Sequence, residues 1–210
     1  MRTDIAVLRF PGRRLPRALA ALPCREIGDA ADIDAAVGHR GRVGGDAARL
    51  IVVGGDAELA AVLTRLMRVD RLDVEVAHVR GRRWTWLSAR RAISAAAQRI
   101  PLIRDDTGTA VVGSALWLPP ARDAELTGEA VVDDTVLFDG AVSGVRIEPT
   151  TAMPGLRAAV LTGRRRRWVA GRAAQLGTTG ARVIRDGVEG TREVKRSTLY
   201  RHTTGWLRVG

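Results

Sequence analysis

Residues 50–63 read LIVVGGDAELAAVL. Four apolar residues, Leu50 to Val53, stop at Gly54-Gly55-Asp56, and the helix-forming run Glu58-Leu59-Ala60-Ala61-Val62-Leu63 follows at once. The order is a buried strand, a tight glycine turn and a helix N-terminus, a junction that belongs to α/β chains. Glycines let a ligand come close to the backbone, and the free N–H groups of a helix end favour an anion. The turn therefore has two readings. It is a nucleotide or phosphate site, or it is one of the strand-to-helix turns that every α/β protein needs.

The residues around it repeat the alternation. Ile5 to Leu8, Cys24 to Ile27, Leu50 to Val53 and Val74 to Val79 read as strands. Arg14 to Leu22, Asp32 to Val37, Asp56 to Val69 and the alanine-rich Thr85 to Gln98 read as helices. Strands regularly followed by helices predict a parallel sheet with helices on its faces, a small Rossmann-like layer. After Gln98 the helical signals nearly vanish. Short β-type runs follow: 101–104, 110–118, 130–138, 145–148, 156–161, 168–174, 182–185, 193–200 and 206–209. Turn signals separate them at Thr107-Gly108, Pro119-Pro120, Asp139-Gly140, Pro154-Gly155, Thr179-Gly180 and Asp186-Gly187. Such spacing predicts an antiparallel sandwich-like domain. The expected fold class is an α/β Rossmann-like domain over 1–97 followed by an all-β domain over 98–210.

The chain has 210 residues, 46% of them hydrophobic, which suffices for a sizeable core. It contains no apolar run near the ~20 residues that span a membrane. Its first residues, MRTDIAVLRFPGRR, carry neither the apolar core nor the cleavage site of a signal peptide. A cytoplasmic protein is the expectation. The lone Cys24 excludes an internal disulfide framework and a cysteine-rich zinc site. All 34 basic residues but Lys195 are arginine, and asparagine is absent. A GC-rich genome explains both facts, so the pI of 11.4 is partly codon usage. The distribution of charge is more telling. Residues 1–95 carry net +6, residues 96–156 net −5 and residues 157–210 net +10, with Arg164 to Arg167 at the start of the last block. That block attracts phosphates on nucleic acid, nucleotide or anionic lipid, or it is a solvated loop.

An α/β half with Gly-Gly-Asp after its third strand, then an all-β half ending in Asp-Gly and two strands, resembles the diacylglycerol kinase and NAD kinase superfamily. The likeness is nearest to the bacterial lipid kinases. There the third strand runs into GGDGT, which holds nucleotide phosphates. Gly54, Gly55 and Asp56 match, while Ala57 and Glu58 replace the last glycine and the threonine. A carboxylate at 58 repels a triphosphate unless a metal bridges them, whereas at a free helix N-terminus it stabilises by ~0.3–1 kcal/mol. The family's second glycine loop, PxGTGN, is replaced by Val79-Arg80-Gly81-Arg82-Arg83-Trp84-Thr85. Arg82 and Arg83 either clamp phosphate or fill the site from within. The lipid kinases' DGE supplies the proposed general base. Here Asp186-Gly187-Val188-Glu189 moves the carboxylate by one residue, so Glu189 is the candidate base, and Asp186-Gly187 also reads as a hairpin turn. The NP-x-SG signature is missing, and Phe10-Pro11-Gly12 stands near its place.

The resemblance implies a compact, degenerate lipid-kinase-like protein. It would bind a nucleotide or other phosphate between its domains through Gly54, Gly55, Asp56, Arg82 and Arg83. If active, it would use ATP and Mg²⁺ to phosphorylate a lipid hydroxyl with Glu189 as base. A pseudoenzyme is the preferred form. The alternative is a non-enzymatic interaction protein whose basic β domain binds anionic lipid, an acidic protein or nucleic acid. Under the lipid reading residues 157–210 lie against an anionic membrane; otherwise their arginines pair with the acidic 96–156 segment.

Other chemistries have less support. His39, His78 and His202 show no zinc-ligand spacing, and His78 inside an apolar strand reads as a hydrogen-bonded core histidine. There is no G-x-S-x-G elbow. Asp105, Asp106, Glu129, Asp133, Asp134 and Asp139 either hold Mg²⁺ or sit at strand ends facing water. The basic tail 192–202 is compatible with nucleic-acid backbone contacts, but no recognised nucleic-acid-binding motif accompanies it. The five tryptophans are expected to pack the core or the contact between the domains rather than to serve as base platforms.

Overall fold

The computed structural model describes residues 5–37, 48–80, 85–162 and 166–210. The chain divides into two units, Met1–Ile100 with Thr204–Gly210, and Pro101–Thr203.

The first unit begins β1 (Ile5–Arg9), β2 (Cys24–Glu26), α1 (Ala30–Val37), β3 (Arg49–Val53) and α2 (Asp56–Arg68). It continues with β4 (Glu75–Val79), α3 (Thr85–Ser94) and β5 (Ala97–Ile100). β3 pairs in parallel with β1 on one side and β4 on the other, and all five of its residues are buried. This is why its last four residues, Leu50 to Val53, are a continuous apolar run rather than an alternating one. α2 turns Leu59, Val62, Leu63 and Leu66 inward at helical spacing. Each such side chain contributes about 1.5–3 kcal/mol on burial.

The second unit is all strand among its described residues. It runs β6 (Ile103–Asp105), β7 (Ala110–Val111), β8 (Ala115–Leu118), β9 (Leu126–Val132), β10 (Thr135–Val142) and β11 (Val145–Pro149). Then come β12 (Leu156–Val160), β13 (Val169–Gly171), β14 (Ala173–Arg185), β15 (Val188–Glu189) and β16 (Val194–Arg201). The long β14 organises it. Its first half lies between β9 and β16, and its second half pairs with β8 and β15. Where β9 crosses β14, only a glycine fits at 128. Its φ is +152°, and a Cβ would stand 2.1 Å from the Gly177 carbonyl oxygen. The core gathers around the fully buried Trp117, whose Nε1 donates to Ser197 Oγ at 3.0 Å.

The α/β and all-β architecture expected from the sequence is thus the observed one, and no described helix follows Ser94. Several local expectations differ. The last strand, β17 (Trp206–Val209), continues the β series in sequence but joins the first sheet. It runs parallel to β4 and antiparallel to β5, giving the order β2-β1-β3-β4-β17-β5. That pairing claims Ala97 to Ile100 as a strand, so the helix expected to reach Gln98 stops at Ser94. Arg49 closes its end by donating to the Ala92 and Ile93 carbonyls at 3.1 and 2.7 Å. The helix expected over Arg14 to Leu22 is a 3-10 turn at Arg17–Leu19. Pro16 and Pro23 hold Leu15 and Leu22 out of helical geometry and leave room for one turn. The run 130–138 is broken at Asp133, whose φ is +49°, a conformation aspartate tolerates. Asp139-Gly140, expected as a turn, lies inside β10. Thr179-Gly180 is a register shift inside β14 rather than a chain reversal.

Candidate functional site

The turn after β3 is tied down on every side. Gly54 N–H donates to the Val79 carbonyl at 3.3 Å, fixing the turn to the end of β4. His78 Nε2 lies 3.0 Å from the Gly54 carbonyl oxygen. Burial pushes the His78 pKa down, so the imidazole is neutral near pH 7 and carries its proton on Nε2, the nitrogen that meets an acceptor. His78 is the hydrogen-bonded residue its apolar strand predicts. Asp56, first residue of α2, pairs with Arg80.

Glu58 decides the character of the turn. Its side chain curls back over the two glycines. Oε2 accepts the Gly55 N–H at 2.9 Å, while Oε1 accepts Arg13 Nε at 3.2 Å and Nη2 at 2.7 Å. Gly55, the N-cap residue of α2, has no side chain, so Glu58 supplies the carboxylate half of a capping box. Burial alone would raise the Glu58 pKa, but the bonds from Arg13 and from the N–H groups of Glu58 and Gly55 outweigh it. They hold the carboxyl below its ordinary value. A Cβ added at Gly54 would stand 2.9 Å from Glu58 Cβ, and one at Gly55 2.9 Å from Glu58 Oε2. The space that two glycines leave open is filled by this chain's own carboxylate. A second anion about 4 Å from it meets a repulsion of about 1–4 kcal/mol.

Of the residues singled out in the sequence, Gly54, Gly55 and Asp56 share this turn. Arg82 and Arg83 lie outside the described residues. Glu189 stands on β15 in the second unit, half exposed, with Oε1 accepting Arg182 Nη1 at 3.0 Å. Asp186 and Gly187 both have positive φ, +50° and +86°, and form the hairpin turn between β14 and β15. The Asp186 carboxylate accepts the N–H groups of Val112, Gly113 and Ser114 at 3.0, 2.7 and 2.9 Å, anchoring the bend between β7 and β8.

Two of the acidic residues weighed as metal ligands, Asp105 and Asp133, do structural work. Fully buried Asp105 pairs with Arg185, and its Oδ1 accepts from Thr107 and Thr109. Asp133 accepts the N–H groups of Arg172 and Ala173. Among the described residues no group of three His, Cys, Asp or Glu side chains is placed to hold a metal ion. In the C-terminal block, Arg157 pairs with Glu148 and Arg185 with Asp105, partners from the acidic segment. Arg164 and Arg165 lie outside the described residues, and Arg166 and Arg167 are exposed. No helix among the described residues is long and apolar enough to cross a membrane.

Sequence reasoning assigned Glu58 its place at the helix start but missed Arg13. The spacing of Gly55 and Glu58 is a local capping signal. Nothing local marks a partner so far back along the chain.

No family model and no curated protein sequence matches the chain. Solved structures do. A diacylglycerol kinase from Bacillus anthracis str. Sterne superimposes with a TM-score of 0.74 at 10% identity, over 99% of this chain and 96% of that one. An NAD kinase from Archaeoglobus fulgidus, in complex with ATP, does so with a TM-score of 0.64 at 11% identity, over 98% and 93%. The chain has the diacylglycerol kinase and NAD kinase fold. At this identity the likeness is one of fold, carried by the α/β and all-β units together. Within the kinase fold, the Gly54–Asp56 turn follows β3, where the resemblance places its phosphate loop.

Proposed function

We propose that this chain is a pseudoenzyme of the diacylglycerol kinase type, which keeps the kinase fold and its glycine turn but does not transfer phosphate efficiently. The observation that carries the reading is the Glu58 carboxylate seated on the Gly55 N–H and backed by Arg13. ATP and Mg²⁺, which the resemblance implies, do not fit the turn while Glu58 lies there. A nucleotide or other phosphate reaches it only after Glu58 has left. Releasing Glu58 costs about 1–3 kcal/mol, the sum of a helix cap, a dipole interaction and a part-exposed ion pair, and weakens binding about 5- to 150-fold. The second support is Glu189. Its carboxylate is bound to Arg182, and Val188, which stands where the resembled kinases carry their base, has no proton-accepting group.

Calorimetric titration with ATP and Mg²⁺, paired with radiolabelled transfer from ATP to diacylglycerol vesicles, tests the reading. The wild-type chain is expected to transfer no phosphate above background. Glu58→Thr, which restores a hydroxyl, is expected to bind ATP at least about fivefold more tightly than wild type. A wild-type turnover on the order of 1 s⁻¹, in the ordinary enzyme range, overturns the proposal. So does ATP binding that is equally tight in both proteins.

A further inference from the structure

The two stretches 10–25 and 76–104 contain no aspartate or glutamate. The fold brings parts of both together, because the 3-10 turn at Arg17–Leu19 packs beside α3. α3 turns Ala89 and Ala92 into the core with Leu19. Its outer side presents Trp86, 56% exposed, and Leu87, 39% exposed. Arg90 lies over the Trp86 ring at 5.8 Å, and Arg91 is exposed one position on. Arg14 and Arg17 are exposed on the neighbouring segment. None of Arg14, Arg17, Arg90 and Arg91 has an acidic partner among the described residues, whereas Arg9, Arg49 and Arg65 of the same unit are paired with Glu26, Glu75 and Asp34. A recess of about 380 Å³ opens beside Leu87 and Arg91, with His78 and Val209 in its walls.

We propose that this face of α3 docks on an anionic membrane surface. The charge is one-signed where acidic partners are absent, which suits an anionic plane. The apolar pair decides between anionic partners. A tryptophan and a leucine side by side on a basic helix match the boundary between headgroups and acyl chains. A nucleic-acid backbone offers that pair nothing apolar. A headgroup phosphate entering the recess would meet Arg91, with Leu87, Ala92 and Val209 beside it. Two arginines of the C-terminal block, Arg157 and Arg185, are by contrast engaged by Glu148 and Asp105.

Co-sedimentation of the full chain with vesicles of phosphatidylcholine alone, or with phosphatidylglycerol added, tests the proposal at low and high salt. Binding is expected only with phosphatidylglycerol and is expected to fall with salt. Replacing Arg90→Gln and Arg91→Gln together is expected to weaken it roughly thirtyfold, the effect of removing two surface cations. The pair Trp86→Ala and Leu87→Ala is expected to weaken it at least tenfold, while Arg166→Ala with Arg167→Ala leaves it unchanged. Circular dichroism of each variant, with its melting curve, confirms that the fold is kept. Equal binding to both vesicle types overturns the proposal, as does no binding at low salt. Loss confined to the Arg166 and Arg167 variant overturns it in favour of the C-terminal block. A short DNA duplex provides the last arm. Tighter binding to duplex than to vesicles, indifferent to Trp86 and Leu87, overturns the membrane in favour of nucleic acid.

Discussion

Replacing Glu58 separates the cap on α2 from the charge that sits there. In Glu58→Ala three contributions go together. The bond to the N-cap N–H is worth about 0.5–2 kcal/mol, the carboxylate on the helix dipole about 0.3–1, and the ion pair with Arg13 about 0.2–1. The ion pair belongs at the low end, since the Arg13 side chain is 44% exposed. The terms overlap, so the expected loss at pH 7 is about 1–3 kcal/mol. Glu58→Gln keeps an oxygen for the Gly55 N–H and loses the charge, so its expected loss is about 0.5–1.5 kcal/mol. Urea unfolding followed by circular dichroism measures both. Acid adds a second reading. The folded-state pKa of Glu58 is depressed, so its charge-dependent contribution is fully present above the unfolded value of about 4.3. It is lost as pH falls through the depressed value, and the gap between wild type and Glu58→Gln should close as it does. Wild-type stability in both variants at pH 7, within about 0.3 kcal/mol, would refute the claim that Glu58 holds the turn.

Two further outcomes follow from groups that the same geometry fixes. Because burial depresses the His78 pKa, the unfolded chain takes up a proton that the folded chain refuses, and stability should fall as pH drops below about 6.5, by up to about 1.4 kcal/mol per unit until the folded histidine titrates. Urea midpoints at pH 7.5 and 5.5 should differ less in His78→Gln than in wild type; equal slopes would count against a neutral His78. Asp186→Ala removes the acceptor for three N–H groups at 112–114 and places alanine at positive φ, for an expected loss of about 2–4 kcal/mol in urea unfolding. Asp186→Asn should lose less, and an alanine variant within about 1 kcal/mol of wild type would show that the bend does not depend on this carboxylate.

What the sequence disclosed follows the range over which each signal acts. The Leu50–Val53 strand, the glycine turn and α2 are written in neighbouring residues, and their periods are read directly. The hairpin at Asp186-Gly187 is equally local, since both residues tolerate positive φ. Asp139-Gly140 has the same turn chemistry but is drawn into β10, because Asp139 pairs with Glu129 and Gly140 with Gly128 on β9. Thr85 to Gln98 reads as one helix because alanine favours it, yet β17 arrives from far along the chain and takes Ala97 to Ile100 as a strand. The site divides in the same way. Gly54 to Asp56 and the capping role of Glu58 are local. The closure of the turn by Arg13 depends on tertiary proximity that no spacing in the sequence encodes.

The position of β17 also bears on the order in which the molecule can be made. The first sheet needs a strand between β4 and β5, and that strand is translated only after the whole of the second unit. At about 5–20 residues per second, the earlier strands wait roughly 5–20 s on the ribosome with the pairing edges of β4 and β5 vacant. Unpaired strand edges are where chains associate wrongly, so the nascent protein has a window of exposure that its finished form does not reveal. A fragment ending at Ile100 would remain in that window permanently. Adding residues 204–210 as a separate peptide supplies the missing strand, which makes the first unit a candidate for assembly from two pieces.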